Sequence, residues 1–192
     1  MSNAAADTQR RTLLQAAAGL ATAAHLGVQA ATTSITAAKP AATGKPGDFD
    51  FLAGEWKIKN RQLKNGSWEV FDGEATVRGI LAGITSVEEL RIPARNFSGM
   101  GLRLLDLEKK LWADYWVNGK SGVLAPPPSW GSFVNGVGTW DSNEEDENSK
   151  KPTTVRGVWD RITPSSCRWY QTVSRDGGAS WQENWLMDWT RV

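Results

Sequence analysis

Short runs of strand-forming residues alternate with turn signals from Glu55 to Arg191. Asn65-Gly66 and Asn135-Gly136 each separate two such runs, and an Asn-Gly pair in this position is the strongest short-range signal for a β-hairpin. No stretch repeats its apolar residues at the spacing of a helix. The pattern therefore predicts an all-β domain of ten strands. The predicted strands are Glu55–Leu63, Trp68–Arg78, Thr85–Arg91, Ser98–Leu107, Leu111–Asn118, Ser129–Val134, Val137–Trp140, Thr154–Ile162, Cys167–Ser174 and Trp181–Arg191.

The number of strands indicates how the sheet is arranged. Strands this numerous, joined by hairpins, cannot form one open twisted sheet without curling or splitting into two sheets. A closed barrel also removes the exposed edges that an open sheet presents to other chains. We therefore expect an antiparallel closed barrel of about 8–10 strands, with a two-sheet sandwich as the alternative.

Alternation along the last strands indicates which side chains point into the barrel. Successive side chains of a strand lie on opposite faces. The inward face of the final strand is expected to contain Trp181, Glu183, Trp185, Met187, Trp189 and Arg191. The two preceding strands place Trp169 and Trp159 inward, with Arg161 on the same face as Trp159.

The strand Leu111–Asn118 has two faces that could both be buried, so its orientation stays open. One face contains Trp112, Asp114, Trp116 and Asn118, and the other contains Leu111, Ala113, Tyr115 and Val117.

Eleven tryptophans are the main compositional feature of the chain. Tryptophan combines a large apolar surface with an N–H donor, so it suits both a core and the wall of a ligand pocket. A cluster of inward tryptophans predicts a cavity for a small apolar or aromatic molecule. The predicted ligand-binding residues are Trp116, Trp159, Trp169, Trp185 and Met187.

Residues 1–30 are typical of a twin-arginine export signal. Arg10 and Arg11 precede a weakly apolar, alanine-rich run, and Val28-Gln29-Ala30 fits a cleavage site with small or aliphatic residues at its first and third positions. The run is too short for a stable transmembrane helix. We expect a periplasmic protein that uses the twin-arginine export machinery and has no stable membrane anchor. The alternative is an amphipathic N-terminal helix of a cytosolic protein.

The rest of the chain divides at Asp48. Residues 31–47 are rich in Ala, Thr, Pro and Gly, which is typical of a flexible linker, and residues 48–192 are expected to form the barrel domain.

Charge and metal-ligand content exclude several classes of function. Removal of residues 1–30 leaves equal numbers of acidic and basic residues, which gives no reason to expect a nucleic-acid partner. His25, the only histidine, lies in the export segment, and Cys167 is the only cysteine. The barrel domain therefore lacks the usual transition-metal ligands and a histidine base, and we expect neither a metal nor another cofactor. Cys167 is expected to be a small buried residue.

Two local motifs have a chemical and a structural interpretation. The segment from Ser174 to Trp181 matches an Asp-box, but a propeller would need repeats of it, so it is interpreted as a hairpin turn. The acidic run from Asp141 to Glu147 is similar to the start of a calcium loop. It lacks the required glycine and bidentate glutamate, and is interpreted as a solvated loop.

The opening of the barrel domain carries a family resemblance. Phe51-Leu52-Ala53-Gly54-Glu55-Trp56 resembles the start of a large bacterial group of unknown function that begins with Phe-Leu-x-Gly-x-Trp. The segments Trp68–Gly73, Leu111–Val117 and Asp176–Met187 extend the resemblance, which covers about Asp48 to Arg191.

The Gly-x-Trp element is also similar to that of calycin-type barrels, including lipocalins and nitrobindins. This resemblance implies a calycin-like barrel with an apolar cavity and a tryptophan across the closed end beside an inward arginine. It implies no reaction. Nitrobindins hold haem through a histidine that this domain lacks, so haem binding of that kind is not implied.

Three functions remain open at this point. The first is periplasmic binding of a small molecule. The second is a cofactor-free isomerase, cyclase, lyase or hydrolase, in which Glu183 or Asp114 moves a proton and Arg161 or Tyr115 stabilises negative charge. The third is a structural envelope protein with a filled interior. As the alternative to catalysis, Glu183 would form an ion pair with an inward arginine. Arg61, Arg78 and Arg103 are expected to pair across strands with Glu55, Glu69 and Glu89, or to bind an anionic ligand.

Overall fold

The described part of the chain forms a closed barrel of ten antiparallel strands, in which β1 pairs with β10. The computed structural model describes residues 40–124, 126–145 and 151–192. The strands are β1 (Gly54–Lys64), β2 (Ser67–Ile80), β3 (Thr85–Ile92), β4 (Phe97–Asp106), β5 (Leu111–Asn118), β6 (Ser129–Val134), β7 (Val137–Glu145), β8 (Pro152–Asp160), β9 (Ser166–Ser174) and β10 (Gln182–Arg191). Short 3₁₀ turns lie at Asp50–Leu52, Leu81–Gly83 and Pro93–Arg95. The predicted all-β class and closed barrel are confirmed, and the sandwich alternative is wrong.

Both Asn-Gly pairs form the predicted hairpin turns. Asn65 and Gly66 have φ values of 50° and 78°, and Asn135 and Gly136 have values of 51° and 78°. Positive φ at both central positions is the mark of a type I′ turn, whose twist matches that of the strands on either side. These turns fix the registers of β1 with β2 and of β6 with β7.

Aromatic rings fill the end of the barrel at which β1 begins. The ring centroid of Phe49 lies 4.9 Å from that of Trp112 and 5.1 Å from that of Phe133, both in edge-to-face contact. The ring of Phe51 lies 5.9 Å from that of Trp159. These rings close this end of the barrel.

Trp56 and Arg191 complete the closed end. The Trp56 indole donates to the carbonyl oxygen of Leu52 at 2.7 Å, and the Arg191 guanidinium lies 4.3 Å from the centre of the Trp56 ring. Arg191 also donates to the carbonyl oxygens of Phe51 at 2.7 Å and Ala53 at 2.6 Å. These bonds attach the start of β1 to the end of β10, where the barrel closes.

The open question about β5 is decided by its pairing. Trp112 pairs with Leu105, Asp114 with Arg103, and Trp116 with Gly101, all on the inner face. The face with Leu111, Ala113, Tyr115 and Val117 points outward.

Two expectations about local motifs have different outcomes. In the Ser174–Trp181 turn, Asp176 accepts hydrogen bonds from the Ser180 amide at 2.9 Å and from the Ser180 hydroxyl at 2.5 Å, which confirms a structural turn. The expected acidic loop is wrong for residues 141–145, which belong to β7. The reason is a cross-strand partner, because Arg156 of β8 holds both carboxylate oxygens of Asp141, at 2.7 and 2.8 Å.

The predicted export segment at residues 1–30 lies outside the described residues, as does most of the predicted linker. The end of that linker contacts the barrel: the Gly44 amide donates to Lys110 at 2.8 Å, and the Thr43 hydroxyl donates to Phe133 at 2.8 Å. Among the described residues there is no helix of the length and apolarity needed to cross a bilayer.

Candidate functional site

A cavity of about 150 Å³ lies inside the barrel, beyond the aromatic closed end. Strands β3 to β10 all contribute residues to its wall. Two glycines on the inner faces form part of this wall: Gly101 lies opposite Trp116, and Gly157 lies opposite Gln171. Several wall residues, such as Ser129 and Val155, are partly exposed, so the cavity lies towards the end opposite Phe49.

The structure brings all the predicted ligand-binding residues to the wall of this cavity. They are Trp116, Trp159, Trp169, Trp185 and Met187. The rings of Trp169 and Trp185 meet edge to face, with centroids 5.9 Å apart and an interplanar angle of 86°. The Trp185 indole donates to the Asn60 side-chain oxygen at 3.0 Å, which fixes the orientation of that ring. Ligand binding by these residues stays a prediction.

Glu183 does not lie in the cavity, and its predicted inward orientation is wrong. A β-bulge between Glu183 and Trp185 shifts the register of β10, so that Glu183 pairs with Thr172 while Trp185 pairs with Gln171. Glu183 is therefore exposed, and Asn184 is buried instead, where it accepts a hydrogen bond from Gln171 at 3.1 Å. An extra residue in one strand moves every side chain before it to the other face.

The other candidate acid-base residues occupy different environments. Arg161, predicted to point inward, is exposed in the turn that follows β8, with a φ of 52°, because the strand ends at Asp160. Tyr115 belongs to the outward face of β5 opposite Leu102, although it borders the cavity. The side chain of Asp114 is on the inner face and lines the cavity. The structure thus brings Asp114 alone of these three to the inner face.

A buried ion pair, missed in the sequence, is the main polar feature of the cavity. The Arg103 Nη2 donates to Glu88 Oε2 at 2.6 Å, and the two side chains are only 6% and 4% exposed. The Arg103 Nε lies 3.7 Å from Asp114 Oδ1. Burial alone would lower the pKa of Arg103, but the charges of Glu88 and Asp114 outweigh it and raise that pKa above its ordinary value. Arg103 therefore stays charged inside the barrel.

Arg103 was expected to pair with other glutamates. Arg78 does pair with Glu55, at 3.2 Å, whereas Glu69 pairs with Arg95 and Glu89 with Arg91. Strand periodicity indicates only that both side chains point inward, because Glu88 shares a face with Leu90 and Arg103 shares a face with Leu105, and both leucines are buried.

Comparisons with known proteins give little guidance. No family model matches the chain, and no curated protein matches it. A solved structure that does match is a protein of unknown function from the DUF3598 family of Nostoc punctiforme PCC 73102, at 12% sequence identity and a TM-score of 0.42. The match covers 81% of this chain and 53% of that protein, so the chain spans about half of its length. This similarity is too low to assign a family or a function, and the Phe-Leu-x-Gly-x-Trp family resemblance stays a prediction.

The Cys167 thiol is a further group whose reactivity depends on its surroundings. Cys167 is buried, as predicted. Burial, together with the charge of Glu88, raises the pKa of the Cys167 thiol to about 12. Since the thiolate is the nucleophilic form, Cys167 acts as a packing residue at neutral pH. Within residues 40–124, 126–145 and 151–192, no group of three or more His, Cys, Asp or Glu side chains could hold a metal ion.

Proposed function

We propose that this protein binds a small apolar or aromatic molecule inside its barrel. The observation that carries the proposal is the wall of the cavity, to which the described chain contributes six tryptophans. They are Trp116, Trp140, Trp159, Trp169, Trp185 and Trp189. A concave, mostly apolar site with a few polar groups is the usual construction of a small-molecule pocket. A cavity of about 150 Å³ is the size that holds a single aromatic ring.

The alternatives have less support. The enzyme hypothesis loses two of its four candidate residues, because Glu183 and Arg161 lie outside the cavity. A structural envelope protein was expected to have a filled interior, and the cavity counts against that. Binding is therefore the function that the geometry favours.

The binding proposal is tested by adding 4-fluorotoluene to the ¹⁵N-labelled protein. We expect saturable shifts of the indole N–H signals of Trp169 and Trp185, whose rings line the cavity. The signal of Trp68, which is 47% exposed on the outside, should not move and serves as an internal control. Equal shifts of all three signals, or none, would count against a specific site.

A cavity-filling variant sharpens that test. Val155→Phe places a ring in the cavity wall and should weaken 4-fluorotoluene binding at least about tenfold, since the new side chain occupies the space of the ligand. The matched control is Val70→Phe, at a site that is 63% exposed outside the barrel, and it should leave the affinity unchanged.

We further propose that the protein is exported to the periplasm and that its barrel is calycin-like. Export is supported by the Arg10-Arg11 pair and the cleavage-site pattern after it. The calycin-like assignment is supported by the position of Trp56 across the closed end, with Arg191 stacked on its ring.

The export proposal predicts that Arg10→Lys combined with Arg11→Lys retains the unprocessed protein in the cytoplasm, because the transport machinery reads the paired arginines. Cell fractionation followed by immunoblotting measures the distribution. The control is Lys45→Arg, in which a basic residue outside the signal changes. Periplasmic accumulation of the double variant would refute twin-arginine export.

A further inference from the structure

The Arg103 guanidinium carries hydrogen-bond donors that the described residues do not satisfy. Its Nη2 donates to Glu88 at 2.6 Å, but the Nε and Nη1 atoms are buried without an acceptor. Asp114 lies 3.7 Å from Nε, which is too long for a hydrogen bond. A buried donor without an acceptor is costly, so these N–H groups favour a partner that enters the cavity.

The same guanidinium borders the aromatic wall. Its central carbon lies 5.5 Å from the ring centre of Trp159, and both residues line the cavity. A molecule that fills the cavity therefore lies against apolar ring surface and beside the Arg103 side chain, whose Nε and Nη1 donors have no acceptor. The fitting ligand has an aromatic body and an acceptor atom.

The charges around Arg103 indicate what kind of acceptor fits. Glu88 and Asp114 both place a carboxylate oxygen within 4 Å of the guanidinium, at 2.6 and 3.7 Å. Its positive charge is already balanced, and a third carboxylate would be repelled by the two already there. An uncharged oxygen can accept a hydrogen bond from an Arg103 donor without that repulsion.

We propose that the ligand is a small aromatic molecule with an uncharged oxygen acceptor, such as a ketone, aldehyde or amide carbonyl, which accepts a hydrogen bond from one of the two unpaired donors of Arg103, Nε or Nη1. The proposal rests on the binding function proposed above and adds the ligand's chemical class and its polar anchor.

Three probes of nearly equal shape test it by ¹⁹F NMR titration of the full chain. They are 4-fluoroacetophenone, 4-fluoro-α-methylstyrene, in which a CH₂ group replaces the carbonyl oxygen, and 4-fluorobenzoate. We expect the ketone to bind about tenfold more tightly than the alkene, because only the ketone can accept a hydrogen bond from a buried donor of Arg103. We expect the benzoate to bind more weakly than the ketone.

The outcomes separate this inference from the binding function. Equal affinities of ketone and alkene, or tightest binding of the benzoate, would overturn the inference while binding itself stands. If 4-fluorotoluene and all three probes fail to bind, both the proposed binding function and this inference are wrong.

A double variant tests whether Arg103 causes the preference for the ketone over the alkene. Glu88→Met combined with Arg103→Met removes the ion pair as a unit and should bring the ratio of ketone affinity to alkene affinity close to one, whatever the absolute affinities of the variant are. A preference that survives in this variant would show that another group recognises the carbonyl. If the variant does not fold, the comparison of ketone, alkene and benzoate in the unaltered protein still decides the proposal.

Discussion

Replacement of Arg103 alone by methionine is expected to destabilise the barrel by about 3–5 kcal/mol, because it leaves Glu88 as an unpaired charge in the interior. The two side chains are 6% and 4% exposed, so water cannot take over the role of the guanidinium. Asp114, with 30% of its side chain exposed, can still be solvated. The free energy of unfolding, measured by denaturant titration, gives the result directly.

Removal of both charges should reverse most of that loss. In Glu88→Met with Arg103→Met no buried charge is left, and replacing a buried ion pair with apolar residues of similar volume is often neutral or stabilising. The matched surface control is Arg78→Met, which breaks the exposed pair with Glu55 and should cost less than about 1 kcal/mol. A double variant as unstable as the single one would contradict this account.

The alternation of side chains predicted the tryptophan wall correctly but misplaced Glu183. Trp185, Met187 and Trp189 repeat at the period of a strand, and that period holds in the structure. Glu183 continues the same pattern in the sequence, yet the β-bulge ends it, because Asn184 takes the inward position and bonds to Gln171. The bulge depends on the partner strand β9, and residues 181–187 alone carry no sign of it.

The buried ion pair could not be assigned because it depends on register. Glu88 and Arg103 are fifteen residues apart and face each other only when β3 pairs with β4 in the observed register, in which Glu88 lies opposite Gly101. A shift of one residue in this pairing would place the two side chains on opposite faces of the sheet. Glu89, the residue expected near Arg103, lies on that outer surface and binds Arg91 instead.

The orientation of β5 was undecidable for a different reason, which is that both of its faces are covered. Trp112 is buried inside the barrel, while Leu111 and Ala113 are buried outside it. Ala113 lies opposite Trp130 of β6 on the outer face. A strand buried on both sides loses the contrast between apolar and polar positions that marks an inner face.

Gly131→Ala is expected to destabilise the protein by more than the roughly 1–3 kcal/mol that is typical of overpacked sites. Gly131 lies on the inner face of β6, opposite Trp112 and Trp140. A Cβ atom there would overlap the backbone carbonyl oxygen of Thr139 and lie 2.7 Å from ring atoms of Trp140. The carbonyl belongs to the neighbouring strand β7, so it cannot move away without breaking the β6–β7 pairing.

The control for this prediction is Gly79→Ala in β2, where the nearest atoms to a new Cβ are 3.9 and 4.0 Å away. That variant should be neutral or gain about 0.4–1 kcal/mol, because alanine has fewer unfolded conformations than glycine. Denaturant unfolding of both variants measures the difference, and the indole N–H signal of Trp140 reports the local disturbance. If the two variants unfold alike, the tight contact of Gly131 with β7 does not exist, and the cavity wall at Trp140 must be packed differently.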